Sequence, residues 1–293
     1  MRVTQSMLSS SMMKHLSNSY DRLGKMQDQM SSQKKVTRPS DDPVVAMKGM
    51  TYRRNLMEVE QYKRNFSEAY NWAENSDAAL DQATSALQRV RELTVQASNG
   101  TYESDQRQAI AKEVKQLKEH LVQIANTKFG DKYLFNGTDT LNAPVTESGQ
   151  LTSDPPNGNP VKLELSKGVY VQVNADPTKV FSAGLFEGLD NLIGTLNGEE
   201  TGKEIGDFLG DLDGFIKSIT NERASMGARL NRIELMEQRV MEQEIIATKV
   251  MSENEDVDME KLIIEMTTQE SVHRAALSVG ARIIQPTLMD FLR

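Results

Sequence analysis

Apolar residues recur three and four positions apart over most of this chain, and the places where the rhythm fails divide it. Near the start Met13, Leu16, Tyr20, Leu23 and Met30 keep the alternating spacing, with Gln27 as the one polar interruption. That spacing puts them on one face of an α-helix, as in a coiled-coil seam. It predicts a first helix from about Thr4 to Met30, its opening turns weakened by Ser9, Ser10 and Ser11. From Ser31 to Pro39 the rhythm is lost. Pro39 biases Arg38 away from the α region, so the helix ends in this loop. Asp42 followed by Pro43 then reads as an N-cap and a first helical position that needs no donor.

A second helix is expected from Pro43 to about Ser98, carried by apolar positions from Met47 through Tyr62, Phe66, Leu80 and Leu87 to Leu93. Uninterrupted, it would be about 84 Å long at about 1.5 Å per residue. The polar run Asn75-Ser76-Asp77 is where a bend is expected, because short polar side chains compete for the backbone. Asn99-Gly100 is a stop, and a third helix from about Ser104 to Phe129 returns antiparallel as a helical hairpin. Between Asp131 and Lys179 Gly, Pro, Asn, Asp and Thr replace the helical rhythm. Residues 161–165 and 169–173 alternate apolar and polar positions around Ser166-Lys167-Gly168, which predicts a β-hairpin.

Helical spacing resumes in a short element, Leu185 to Leu196, and in a longer one from about Glu204 to Ile246 with breaks expected near Gly206, Gly210 and Gly214. The acids Glu253, Glu255, Asp256, Asp258 and Glu260 favour the start of a last helix, from about Met259 to Gln285. In it Val272, Ala276, Val279 and Ile283 keep a seam spacing, with Leu262 and Met266 upstream, until Pro286 ends it. Both ends therefore carry a stripe. The pattern predicts a mainly α protein: an elongated antiparallel helical bundle with a terminal coiled coil and a small β-rich insert. The expected parts are an N-terminal coiled-coil helix and loop (1–42), a helical rod in two parts (43–137 and 205–251), an outer insert (138–204) and a C-terminal coiled-coil helix (252–293).

Composition sharpens this. Only 38% of the 293 residues are hydrophobic and 5% aromatic against 26% charged, which suits long helices with one apolar stripe better than a thick core. A net charge of -8 argues against nucleic acid and against an anionic membrane surface. The absence of cysteine excludes disulfides and thiol chemistry. The first residues lack a secretory-signal core and no run is long enough to span a bilayer, so the expectation is either a cytosolic protein or one exported without a cleaved signal.

Nothing in the chain points to catalysis, a cofactor or a metal. His15, His120 and His273 fall on three different helices without ligand-like neighbours. Gly198 to Glu204 resembles a phosphate loop but has three residues between its glycines and no Ser or Thr after Lys203. Asp211-Leu212-Asp213-Gly214 lacks the rest of a calcium loop, and Asn136-Gly137-Thr138 reads as a turn rather than a glycosylation site. Lys34, Lys35 and Arg38, with Asp41 and Asp42, make a charged loop that is either solvated or a contact with a neighbouring subunit. Several of the 16 methionines sit on the terminal stripes, where adaptable side chains suit an interface.

Met30-Ser31-Ser32-Gln33-Lys34-Lys35-Val36-Thr37-Arg38-Pro39-Ser40-Asp41-Asp42-Pro43 resembles the N-terminal signature of the bacterial flagellin superfamily. The block Leu87-Gln88-Arg89-Val90-Arg91-Glu92-Leu93-Thr94-Val95-Gln96-Ala97-Ser98-Asn99-Gly100-Thr101 is similar to its second conserved block, and the last helix resembles its C-terminus. Gln33 departs from the pattern, since relatives commonly have glycine there. The likeness covers roughly residues 1–137 and 205–293 and is nearer to the hook-associated members than to filament flagellin. It implies a structural subunit, exported unfolded through the flagellar type III apparatus, that joins the hook side to the filament. Its implied partners are further copies of itself, the adjacent hook-side junction protein, flagellin, and an export chaperone at the C-terminal helix. Met13, Leu16, Tyr20, Leu23 and Met30 would pair with Leu262, Met266, Val272, Ala276, Val279 and Ile283. Filament flagellin itself, and more distantly a helical signalling rod, stand as alternatives.

Overall fold

A computed structural model of the chain describes residues 5–99, 103–153, 156–199 and 202–284. Seven α-helices and four strands occur among them: α1 (Gln5–Ser32), α2 (Pro43–Ser98), α3 (Ser104–Ala125), β1 (Lys128–Phe129), β2 (Lys132–Tyr133), β3 (Lys162–Ser166), β4 (Val169–Gln172), α4 (Pro177–Val180), α5 (Ala183–Leu196), α6 (Phe208–Glu255) and α7 (Met259–Ile284). They divide into two compact units, Met1–Glu58 with Gln243–Arg293, and Val59–Glu242. The expected Gly100 turn, Thr4, and everything from Gln285 onward lie outside the described residues.

In the second unit the core follows the heptad rhythm closely. Along α2 the buried residues Phe66, Ala69, Ala73, Ser76, Leu80, Ala83, Leu87, Val90, Thr94 and Ala97 alternate three and four apart. Along α6 Leu212, Ile219, Met226, Ile233 and Val240 recur every seven. Such spacing keeps one face inward over many turns, at about 1.5–3 kcal/mol for each large apolar side chain fully buried. It also explains why no break interrupts α2 at Asn75-Ser76-Asp77. Ser76 occupies a fully buried heptad position, and the Asp77 carboxylate takes two bonds from Arg223, at 2.9 and 3.1 Å, while Arg223 reaches Asp81 at 2.6 Å. The breaks expected within α6 near Gly210 and Gly214 are likewise absent. Only the 3₁₀ turn Ile205–Asp207 precedes it.

The third helix stops at Ala125, four residues before the predicted end, because Lys128–Phe129 pairs with Lys132–Tyr133 as a small hairpin. The predicted hairpin forms as β3 against β4, antiparallel, with a register shift between Glu164 and Ser166 and Gly168 at φ 74° in its turn. Leu134, Phe135, Leu165, Val171 and Phe181 of this segment are buried, and Phe135 meets Phe181 edge-on at 5.0 Å. Glu222, 3% exposed, ties it to α6 by accepting from the Asp176 amide at 3.2 Å and from Arg229 at 2.7 Å.

Candidate functional site

In the first unit α1 and α7 run antiparallel. The inward positions of α1 are Met12, Leu16, Ser19, Leu23, Met26 and Met30; those of α7 are Leu262, Met266, Gln269, His273, Ala276 and Gly280. Both sets alternate three and four apart, the seam of a two-helix coil. Gly280 allows a close approach: a Cβ there would stand 3.2 Å from Met12 Cε and 3.8 Å from Leu16 Cδ1. At mid-seam Gln269 Nε2 donates to Ser19 Oγ at 3.1 Å, and the same hydroxyl shares a 3.1 Å hydrogen bond with His273 Nδ1.

Of the residues singled out from the sequence pattern, Leu16, Leu23, Met30, Leu262, Met266 and Ala276 face into the seam. Met13, Tyr20, Val272 and Val279 do not: they lie beside the seam and are 60%, 70%, 53% and 50% exposed. The side chain of Ile283 lies outside the described residues. The cause is a one-position rotation. The spacing 12, 19, 26 satisfies the same heptad as 13, 20, 27, and apolarity does not choose between them, since Met12, Ser19, Met26 and Met13, Tyr20, Gln27 each include two apolar residues. The fold takes the first because Ser19, Gln269 and His273 satisfy one another and Gly280 admits Met12. Nothing apolar marked Ser19, Gln269, His273 or Gly280 in the sequence; only their own three-and-four spacing could have found them.

The loop after α1 closes this end of the coil. Lys34 and Asp256 form an antiparallel bridge, Lys35 N–H donates to the Glu255 carbonyl at 2.6 Å, and Val257 N–H donates to the Gln33 carbonyl at 3.1 Å. Lys34 Nζ lies 2.7 Å from Asp256 and 3.4 Å from Glu255, and Arg53 reaches Glu255 at 2.6 Å. Lys35 Nζ donates to the Glu253 carbonyl. Glu255 is 7% exposed and its carboxylate rests on Gly49, where a Cβ would come within 2.6 Å of Oε1. Its pKa is held below the ordinary carboxylate value, first by the Arg53 bond. Asp256 is lowered and Lys34 raised chiefly by their bond to each other.

The basic loop is therefore largely spent within the chain. Asp42 caps α2 by accepting from the Val44 and Val45 amides at 2.9 and 3.0 Å. Asp41 lies 3.7 Å from Lys25 and accepts from the Arg38 amide. Arg38 itself is exposed and its guanidinium makes no bond among the described residues. Glu255 and Asp256, read in the sequence as the acidic start of the last helix, instead end α6 and neutralise this loop. Asp258 is the residue that caps α7, through Lys261 N–H at 3.1 Å.

The remaining candidates are structural. Asp211 pairs with Lys203 at 2.8 Å and Asp213 with Arg91 at 2.6 Å, so each carboxylate holds a cation of the chain. Asn136 is 5% exposed and donates to the Asn142 carbonyl at 3.0 Å. His120 is exposed on α3 and His15 lies 3.4 Å from Ser11 on α1.

The model of the bacterial flagellin N-terminal helical region matches residues 3–140, and that of the bacterial flagellin C-terminal helical region matches residues 209–292. The chain belongs to the bacterial flagellin superfamily. Within that superfamily it is similar to flagellar hook-associated protein 3 of Escherichia coli, 26% identical over 94% of this chain and 95% of the relative. Its fold is that of a flagellar hook-associated protein from Vibrio parahaemolyticus, which it matches with TM-score 0.67 and 21% identity over 74% of this chain and all of the other. The flagellar junction protein FlgL of Legionella pneumophila matches with TM-score 0.57 and 16% identity, over 71% of this chain and 99% of the other. As a member of this superfamily, the chain is a structural component of the flagellum and not an enzyme.

Proposed function

We propose that this flagellin-superfamily chain is the junction subunit that joins the hook side of the flagellum to the filament. Further copies form its own layer, with the adjacent hook-side junction protein on one side and flagellin on the other. The observation that carries the reading is the α1/α7 pair, which buries one stripe and leaves a second exposed. Met13 and Tyr20 with Ile263 and Leu277 flank one side of the seam, Val272 and Val279 the other; all six are at least 47% exposed. Helices apolar on both shoulders of a seam are built for more than one neighbour, and closed symmetric assembly buries such surface. The similarity to hook-associated protein 3 of Escherichia coli supports a junction role.

On this reading the chain leaves the cell unfolded, without a cleaved signal, escorted by a chaperone on α7, and its terminal coil, which pairs in the free chain but opens readily, is fixed in place as the layer closes. The loop contributes its axial contact through Arg38, since Lys34 and Lys35 are engaged at home. Immunogold labelling of isolated flagella tests the whole: a single band at the hook–filament boundary is expected, and label along the filament would identify a filament flagellin instead. A strain lacking the chain should carry hooks without filaments; normal filaments would overturn the proposal.

A further inference from the structure

We infer that the Ser19, Gln269 and His273 layer determines which helix pairs with which, selecting α1 against α7 of the same chain over α1–α1 or α7–α7 pairing between copies. The physical need is visible in the seam. Apart from this layer and Gly280, its inward residues are Met, Leu and Ala, adaptable apolar groups that pack against almost any similar stripe. The outward positions Met13, Tyr20, Val272 and Val279 carry a competing stripe on each helix. Apolar contact alone therefore discriminates weakly.

The polar layer discriminates by what it leaves unpaired. Ser19 is 9% exposed and sits at the centre of two 3.1 Å hydrogen bonds, accepting from Gln269 Nε2 and sharing a proton with His273 Nδ1. In an α1–α1 pair, Ser19 would face Met, Leu or another Ser19. In an α7–α7 pair, Gln269 and His273 would press an amide and an imidazole against Met266 and Ala276. A buried polar group without its partner costs about 1–3 kcal/mol, so the wrong pairings lose roughly 5- to 150-fold per layer. A single polar layer in an apolar seam specifies partner and orientation at some cost in stability. The closed loop at Lys34 and Asp256 sets where the seam begins; the layer lies about four turns along α1 from it, where that anchor no longer constrains a free helix.

The chain contains no cysteine, so introduced thiols report pairing cleanly. In the purified full chain, Met12→Cys with Gly280→Cys should close an intramolecular disulfide. Adding Ser19→Ala, Gln269→Leu and His273→Leu should raise the melting temperature while increasing the intermolecular disulfide fraction about tenfold on non-reducing gels. Ser19→Thr alone, which keeps the hydroxyl with Gln269 and His273 in place, should retain the intramolecular product. A triple variant as faithful as its parent overturns the inference. If circular dichroism shows the triple variant unfolded, Ser19→Ala alone must redistribute the disulfide, and an unchanged product overturns it equally. These readouts need only purified protein, so they fail or succeed independently of where the chain sits in the flagellum.

Discussion

Gln33 holds φ at 57°, in the left-handed region where a Cβ crowds the following carbonyl and where glycine is at ease. It stays there because its carbonyl accepts from Val257 N–H and the next residue bridges to Asp256. The chain therefore carries strain that a single substitution to glycine would relieve. Gln33→Gly should stabilise the first unit by about 1 kcal/mol, the usual excess cost of a left-handed residue with a Cβ. Thermal unfolding compared with Gln33→Ala checks this: Ala, which keeps the Cβ, should match Gln33 within a few tenths of a kcal/mol, and equal behaviour of all three would remove the strain argument. The reading of residues 31–39 as a loop needed only lost spacing and Pro39. That its lysines turn inward was not legible, because Glu255 and Asp256 are more than 200 positions away in sequence.

At the scale of elements, two helices with two stripes each make a test the sequence pattern alone could not frame. It grouped Leu23 with Val279; the fold separates them, one inward and one 50% exposed. Leu23→Asp should therefore abolish α1/α7 pairing in the isolated chain, since a carboxylate without a partner in an apolar seam costs several kcal/mol. Val279→Asp should leave that pairing intact yet reduce incorporation into flagella at least tenfold. A fluorophore and quencher on the two helices read the first, and labelling of isolated flagella reads the second. Loss of pairing in both variants would mean that the seam rotates.

The closed end of this coil should also respond to acid. Glu255 and Asp256 titrate lower folded than unfolded, because Arg53 and Lys34 favour their charged forms. Their contribution is complete above the unfolded carboxylate range, near pH 4, and fades as pH falls through the folded values. Lys34, raised by Asp256, loses its share only as pH rises past its own folded value, above 10.5. The same fluorophore pair should therefore report a closed junction from about pH 5 to about pH 10, opening below about pH 4. Glu255→Gln together with Asp256→Asn should remove the acid limb, and a junction that opens identically in that variant would place the sensitive group elsewhere.

For the whole molecule, the long helices and the out-and-back path were legible because heptad spacing survives over α2 and α6 without interruption. The division into units was not, since α2 and α6 each contribute residues to both. The chief difference between the units is burial. Val59–Glu242 contains nearly all the fully buried side chains, among them Phe66, Leu80, Leu87, Val90, Val114, Leu121, Leu185 and Ile219, all at 0% exposure. Among the described residues of the other unit, Leu262 is the one buried large apolar side chain, at 3%. Local opening costs least where few apolar contacts must break, and up to the global stability where many must. Hydrogen exchange on the monomer should accordingly find slow amides around Leu80 to Val90, Val114 to Leu121 and Ile219 to Ile233, and faster exchange in α1 and α7 by at least a hundredfold. Leu87→Ala, at about 2–5 kcal/mol for a fully buried leucine, should speed exchange throughout the protected set and barely alter α1 and α7, which already open locally. Uniform exchange across both units would mean that the continuous helices bind them into one cooperative fold. In that case the terminal coil could not order separately when the layer assembles.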